Sequence, residues 1–273
     1  MGLWGGAGYH VRSKLIDTNN DGIYEGYKNW DKLCDDDAYA FIVGLTLGTS
    51  SDNGYVVNAD TSLLIETSGP VITLDGRGWI LQNRFDRGEP TKPSNVYALT
   101  RYDGHQNIFL MQVSGFYQVE SKGLTLIKLS GGFEILASPP EWHVYLGWKG
   151  YECQGPPPRQ RTEKKLEVNI LSLFDAQGYF MVGSMTPFPK AKDCRPAIML
   201  GAGFDYGKEI DAKIVTIYAQ SWGSGDLAIS WHPTQTFAAF GLGGKLGFSL
   251  FGIDFGRGFD ANAQGQYPTQ QNS

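Results

Sequence analysis

The last long apolar segment of the chain, FGLGGKLGFSLFGIDFG from Phe240 to Gly256, alternates in hydrophobicity with a period of two residues. Bulky apolar side chains take the even positions up to Leu250, and mostly glycine, lysine and serine take the odd positions. This alternation is typical of a β-strand with one apolar face and one nearly bare face. From Phe251 the apolar side chains fall on odd positions, and we attribute this change of face to a β-bulge, which inserts one extra residue.

Nearly every other segment shows the same alternation and is interrupted at short intervals by turn signals such as Asn53-Gly54 and Asp103-Gly104. Short connections between successive strands favour an antiparallel arrangement. The sequence therefore predicts an all-β fold, an antiparallel meander of roughly a dozen strands. We expect a coiled sheet, a β-sandwich or a roll with bulges and glycine-rich bends, because bulges and bare positions both bend a sheet.

Glycine is over-represented, with 36 of 273 residues, whereas the 13 prolines are an ordinary number. Several glycines precede an aromatic residue inside an apolar run: Gly115-Phe116, Gly132-Phe133, Gly178-Tyr179, Gly203-Phe204 and Gly247-Phe248. One interpretation is a degenerate repeat of a hairpin unit. The other, which we favour, is that a curved sheet needs bare positions where an aromatic ring from the next strand lies flat.

The domain organisation follows from the same pattern. We expect one elongated β domain over residues 1–260, with a possible sub-boundary in the proline-rich loop near 153–165 and a polar tail over 261–273. The start of the chain, MGLWGGAGYHVRSK, lacks the basic region and the apolar core of a signal peptide. This start indicates a piece of a longer chain or a product whose leader is absent.

Net charge and cysteine content limit the classes of partner and the redox compartment that fit this chain. The net charge of -5 and the absence of a dense Lys/Arg cluster argue against a nucleic-acid partner. Three cysteines, Cys34, Cys153 and Cys194, lack the spacing of metal ligands. Cys153 and Cys194 flank a predicted hairpin and could form a disulfide in a secreted protein, while three free thiols in a reducing compartment explain the count equally well.

The segment DTNNDGIYE carries the clearest candidate for metal chemistry. Its oxygen ligands alternate as in the first half of a calcium-binding loop, with Gly22 at the sharp turn, which gives the candidate ligands Asp17, Asn19, Asp21, Ile23 through its carbonyl, and Glu25. The twelfth position is Lys28 and not the bidentate glutamate of an EF-hand. The alternative is a polar hairpin turn, for which Asn20-Asp21-Gly22 is sufficient. Calcium is the one cofactor that the sequence predicts.

Catalytic chemistry has no comparable signal. The four histidines are scattered, and the sequence contains no nucleophile elbow, zinc-protease, Walker or Rossmann motif. Paired carboxylates for glycoside hydrolysis have candidates without any indicated geometry, namely Glu134, Glu141, Glu167, Asp175 and Asp226. We assign none of them and expect a non-catalytic protein.

Two stretches carry a resemblance to a known group of proteins. PPEWHVYLGW and LFDAQGYFMVGSMTPFP resemble segments of very large bacterial β-rich proteins of unknown function, through Trp142, His143, Gly147, Tyr179, Met181 and Gly183. The stretch AISWHPTQTFAAFGLGGKLGFSLFGIDFG is similar to the strand pair that follows in those proteins. The resemblance covers the C-terminal half and implies a long meandering sheet within a larger chain, with no catalytic residue to carry over.

These observations rank four functional hypotheses. The first is a structural or assembly module, extracellular or at the cell surface, calcium-stabilised, and either self-associating or part of a larger protein assembly. The second is a carrier of lipid or another apolar ligand in a coiled β groove. An outer-membrane barrel ranks third, because alternating strands with aromatic residues fit it. A carbohydrate-active enzyme ranks with it.

Overall fold

The computed structural model of the protein describes residues 1–9, 11–16, 26–32, 39–67, 69–82, 94–154, 159–211 and 215–268. These residues form eighteen strands: β1 Gly2–Tyr9, β2 Val11–Ile16, β3 Gly26–Lys32, β4 Tyr39–Gly48, β5 Val57–Glu66, β6 Val71–Ile80, β7 Val96–Asp103, β8 Ile108–Ser121, β9 Leu124–Ala137, β10 Trp142–Leu146, β11 Tyr151–Cys153, β12 Arg159–Arg161, β13 Leu166–Ile170, β14 Phe174–Pro187, β15 Cys194–Asp211, β16 Val215–Trp231, β17 Thr234–Leu250 and β18 Ile253–Pro268. The predicted all-β antiparallel meander is confirmed. No helix long and apolar enough to cross a membrane occurs among the described residues.

The chain divides into two compact units. Unit 1 comprises Met1–Phe116 and Gly132–Val144, and unit 2 comprises Tyr117–Gly131 and Tyr145–Ser273. The expected single domain over residues 1–260 stays a prediction. Part of the predicted polar tail, residues 261–268, continues strand β18.

Unit 1 contains a ladder of antiparallel strands in the order β1-β4-β5-β6-β7-β8. Apart from β1, neighbours along the chain are neighbours in the ladder, as expected for strands joined by short turns. The register places Val43 opposite Leu63, and Leu63 opposite Leu74, so branched apolar side chains form a lateral row. Strands β2 and β3 form a separate two-stranded antiparallel sheet.

Unit 2 contains the ladder β13-β14-β15-β16-β17-β18, in which the last four strands have 16 to 18 residues. The register of β14 with β15 shifts between Gly183 and Thr186, an irregularity of the kind that the fold prediction anticipates. A disulfide joins Cys153 of β11 to Cys194 of β15, with the Cα atoms 5.4 Å apart. Of the two alternatives that the sequence leaves open, a Cys153–Cys194 disulfide or three free thiols, the structure contains the disulfide. Cys34 lies outside the described residues.

The alternating segment from Phe240 to Leu250 lies in β17, and its strand structure is confirmed. The bulge expected at Leu250-Phe251 is wrong. Phe251 and Gly252 have φ angles of 50° and 80° and form a two-residue hairpin turn, across which Leu250 pairs with Ile253. Positive φ at both central residues is typical of a type I′ turn, which suits Gly252 and strains Phe251. The apolar side chains change parity because β17 ends there and β18 begins.

Aromatic rings cover several of the bare glycine positions, as the favoured interpretation predicts. A Cβ atom at Gly243 would lie 2.6 Å from Nε1 of Trp222, the residue directly opposite on β16. Similarly, a Cβ atom at Gly223 would lie 2.7 Å from the ring of Phe204. Of the glycine–aromatic pairs in the sequence, Gly247 is covered by the Tyr218 ring, whereas Gly115 and Gly178 contact backbone oxygens. The covering ring therefore belongs to the neighbouring strand and not to the residue that follows glycine.

The β17–β18 turn gives the first prediction. Replacing Phe251 with Asn should stabilise the protein by about 1 kcal/mol, because asparagine tolerates the left-handed backbone conformation and phenylalanine does not. Urea-induced unfolding followed by tryptophan fluorescence would measure the change. The substitution Gly252→Ala is the matched control and should destabilise the protein; a stabilising effect of Gly252→Ala would contradict the assigned turn.

The ring-covered glycines give a second prediction. Gly243→Ala should destabilise the protein by about 1 to 3 kcal/mol, because the new methyl group displaces the Trp222 ring. Gly265→Ala serves as the control, since a Cβ atom there meets nothing within 4 Å. The free energies of unfolding of the two variants are compared with that of wild type. Equal losses of stability would show that packing of the Trp222 ring does not require glycine at position 243.

Candidate functional site

One face of the unit 1 ladder is uncharged and largely apolar. Residues directly opposite each other in an antiparallel pair share a face, so the register defines this unit 1 apolar face as the odd-numbered positions of 3–9, 39–47, 57–65 and 109–115 and the even-numbered positions of 72–80 and 96–102. Among these positions none is Asp, Glu, Lys or Arg. Their large side chains are substantially exposed, as Phe41 at 51% and Leu74 at 49% show. A wide, uncharged and exposed apolar surface is therefore the main feature of unit 1.

Unit 2 has a corresponding face. Its register defines the unit 2 apolar face as the even-numbered positions of 174–182, 198–208 and 234–250 and the odd-numbered positions of 215–231 and 253–267. Exposed side chains of this face include Phe240, Leu242 and Phe259. Two charged residues, Lys208 and Arg257, occupy it within the described strands.

The opposite face of each ladder, which we call the polar face, carries the charged side chains of the unit 1 ladder and buries polar side chains beside apolar ones such as Leu64 and Leu99. In unit 1, Asn58 and Thr73 are fully buried, and Glu66 is 2% exposed. In unit 2, Ser230 is fully buried. A water-soluble β protein buries apolar side chains and exposes polar ones. Both units depart from this rule, because one face exposes large apolar side chains and the other buries polar side chains among apolar ones.

A hydrogen-bonded network fastens β2 to the polar face of unit 1. The backbone N–H of Ser13 donates to Oε1 of Glu66 at 2.5 Å, and the Ser13 hydroxyl donates to Oε2 at 3.1 Å. Nη1 of Arg101 donates to the Ser13 hydroxyl oxygen at 3.0 Å and to Oγ1 of Thr73 at 3.2 Å. Next to this network, Val11 packs against the small buried cluster of Ala40, Ile42 and Leu64. The hairpin strand β2 therefore covers part of the polar face.

A second buried group in unit 1 contains a histidine. His143 Nε2 lies 2.5 Å from Oε1 of Glu134, and the amide of Gln112 donates to the other oxygen of this carboxylate. All three side chains are buried. Glu134, one of the carboxylates considered for glycoside hydrolysis, thus has both oxygens engaged by neighbouring side chains.

The other carboxylates considered for glycoside hydrolysis are hydrogen-bonded to neighbouring side chains or buried. Asp226 accepts hydrogen bonds from the Tyr179 hydroxyl at 2.6 Å and from Nζ of Lys149 at 3.2 Å. Glu167 accepts from the Ser130 hydroxyl at 3.0 Å, and Asp175 accepts from the Asn169 amide at 2.7 Å. Glu141 is buried, 9% exposed, just before β10.

A groove of about 440 Å³ lies on the polar side of unit 2. Its lining includes Glu167, Asp175, Gln177, Asp205 and Trp222. These side chains give the groove hydrogen-bonding donors and acceptors beside one aromatic ring. The structure thus brings two of the candidate carboxylates, Glu167 and Asp175, to one polar surface.

The predicted calcium ligands, Asp17, Asn19, Asp21, Ile23 and Glu25, lie outside the described residues. In the part of the chain that the structure describes, no three Asp, Glu, His or Cys side chains are grouped as a metal site. The calcium site therefore stays a prediction.

Comparisons with known proteins add little. No family model and no curated protein matches the chain. A solved structure, the crystal structure of the beta domain of the Bordetella autotransporter Brka, is similar over 84% of this chain and 85% of that chain, at 13% identity and a TM-score of 0.17. A TM-score this low does not establish a shared fold. The resemblance to large bacterial β-rich proteins stays a prediction.

The Ser13 network gives a third prediction. Ser13→Ala should destabilise the protein by about 1 to 3 kcal/mol, because it removes the hydroxyl that links Arg101 to the buried Glu66 carboxylate. Hydrogen exchange of the β2 backbone amides should become faster, while exchange in β17 stays unchanged as an internal control. Unchanged protection of β2 would show that the network does not hold this strand.

Proposed function

We propose that the chain is an outer-membrane protein whose β-strands cross the lipid bilayer, with the two apolar faces toward the lipid. The observation that carries this proposal is the unit 1 apolar face, where six neighbouring strands present no charged residue while the charged residues of the same strands lie on the opposite face. Strands that cross a membrane alternate in this manner, apolar toward lipid and polar toward the interior, because lipid offers no hydrogen-bonding partner.

The lengths of the strands support the proposal. Strands β4, β5 and β6 have 10 residues each, and a tilted transmembrane strand needs about 9 to 11 residues. Within β4, the apolar positions run without interruption from Tyr39 to Leu47. The apolar face of unit 1 therefore has the height of a hydrocarbon layer.

Aromatic residues lie where the water–lipid boundary would be. Tyr9 and Tyr39 pair at one end of β1 and β4, with ring centroids 4.8 Å apart, and Tyr102 lies at the same end of the ladder on β7. In unit 2, Trp231 of β16 and Tyr267 of β18 lie toward the same end of the ladder, with β17 between them, and both are exposed. Tyrosine and tryptophan are enriched at both membrane interfaces because one end of each ring system is polar.

The energy of burial favours lipid over water for these faces. Full transfer of a Val, Leu or Phe side chain out of water gains roughly 1.5 to 3 kcal/mol. Each half-exposed side chain on the apolar faces therefore has about 1 kcal/mol still to gain in hydrocarbon. Because this gain recurs on every strand, contact of the two apolar faces with an extended apolar phase is strongly favoured over contact with water.

The other hypotheses fit the observed surfaces less well. A lipid carrier needs a continuous apolar lining on its buried side. The buried positions of these ladders instead mix apolar side chains such as Leu64 and Met181 with the polar side chains of Asn58, Thr73, Glu66 and Ser230. In a structural module, another protein chain would have to cover the apolar face. The spin-label experiment distinguishes that arrangement from contact with lipid. A location at the cell surface is compatible with both the membrane protein and the structural module.

Spin labels can test which faces contact lipid. In a Cys34→Ser background, labels at Val43 and Leu242 on the apolar faces should become accessible to oxygen and inaccessible to a water-soluble nickel chelate once the protein is in phosphatidylcholine vesicles. Both positions are exposed, 44% and 46%, so labelling should preserve the fold. A label at Gln264, exposed on the polar face of β18, is the matched control and should stay accessible to the chelate.

Two outcomes would contradict the proposal. If the labels at Val43 and Leu242 remain accessible to the nickel chelate with vesicles present, the strands do not cross the bilayer. If, in addition, the protein without vesicles forms a large particle in which these labels are shielded, the assembly module is correct instead.

A further inference from the structure

The two charged residues of the unit 2 apolar face lie in one lateral row. Lys208 is opposite Ala219, Ala219 is opposite Leu246, and Leu246 is opposite Arg257. The row therefore crosses β15 to β18, and the backbones of Lys208 and Arg257 are three strand spacings apart, about 14 Å. Both side chains are exposed, and neither forms a hydrogen bond or ion pair with another described residue.

This cationic row, defined by Lys208 and Arg257, divides the unit 2 apolar face into two bands. The longer band extends along β16 from Ser221 to Ile229, next to the aromatic end at Trp231, and it carries no charged residue on the five strands. The shorter band lies beyond the row, toward the β17–β18 turn, where the Phe248 and Phe255 rings stack at 5.3 Å.

The position of the bilayer follows from the cost of burying charge. A Lys or Arg side chain on the lipid-facing surface is strongly destabilising at the membrane midplane and nearly neutral close to the interface. The hydrocarbon layer must therefore coincide with the uncharged band, whose positions 221–229 on β16 match the length of a transmembrane strand. This arrangement places the cationic row at the headgroup edge of the uncharged band, from which long Lys and Arg side chains can extend to the lipid headgroups.

We infer that Lys208 and Arg257 bind the phosphate groups of anionic lipids at one edge of the membrane-embedded part of unit 2. An ammonium and a guanidinium that face lipid without a protein partner are complementary to lipid phosphates. The inference rests on the proposed function, because it requires the apolar face to be in contact with lipid. It adds a binding site and the chemical class of its ligand.

Lipid selectivity in vesicles tests this inference directly. The protein is reconstituted in phosphatidylcholine with a trace of spin-labelled phosphatidylglycerol or spin-labelled phosphatidylcholine, and the fraction of motionally restricted label gives their relative association with the protein surface. Wild type should prefer phosphatidylglycerol severalfold, since each basic residue near an anionic headgroup layer strengthens association about fivefold. The double variant Lys208→Gln/Arg257→Gln should lose most of this preference.

The controls separate the possible causes. Lys128→Gln/Lys245→Gln removes the same charge from the polar side of unit 2 and should retain the preference. Strands in such sheets are tilted by roughly 40°, so the two cations lie at different depths, and the single variants measure each contribution. Inorganic phosphate at millimolar concentration should not abolish the preference; abolition by free phosphate would overturn the assignment to lipid.

Failure of the inference and failure of the proposed function give different results. Without any motionally restricted component for either lipid, the strands do not contact lipid and the proposed function fails. With a restricted component whose selectivity is the same in wild type and in Lys208→Gln/Arg257→Gln, the protein is in the membrane and the phosphate site is wrong.

Discussion

The alternation of side chains between the two faces of each strand is the constraint on which this structure depends. Because consecutive residues point to opposite faces, a single register fixes which side chains of every neighbouring strand lie together. In unit 1 this constraint gathers uncharged side chains on one face of six strands and all of their charged side chains, among buried apolar ones, on the other. A slip of one residue in any pair would place groups such as Glu66 and Arg101 among Phe41 and Leu63, so the polarity of the two faces itself specifies the register.

The polar faces are stabilised differently from an apolar core. Their buried groups, such as Glu66 with Ser13 and Glu134 with His143, satisfy one another across strands and across the β2 hairpin. Such groups are costly when left unpaired in a low-dielectric environment, so each network favours one specific arrangement of strands. Glycines covered by rings have a related role, because the Trp222 and Tyr218 rings fill the space above bare backbone on the neighbouring strand.

Much of the fold is predictable from the sequence for physical reasons, and the site is less so. The period of two residues and the turn signals identify the strands and their antiparallel order. The same period does not reveal what covers the apolar face, because the sequence pattern is the same whether that face packs on another sheet or on lipid. The sequence does not indicate a turn at Phe251-Gly252, because phenylalanine is unusual at positive φ. Contacts between distant strands, such as Ser13 with Glu66, leave no mark in local sequence, and Lys208 and Arg257 share a row only once the register is known.

The disulfide between Cys153 and Cys194 has a consequence for the integrity of the chain. It closes a covalent ring that contains the whole of β12, β13 and β14. A single cut of the peptide backbone anywhere within that ring leaves both fragments attached to each other through sulfur. The two pieces separate only after a reductant opens the bridge, so this stretch of unit 2 tolerates one nick without dissociating.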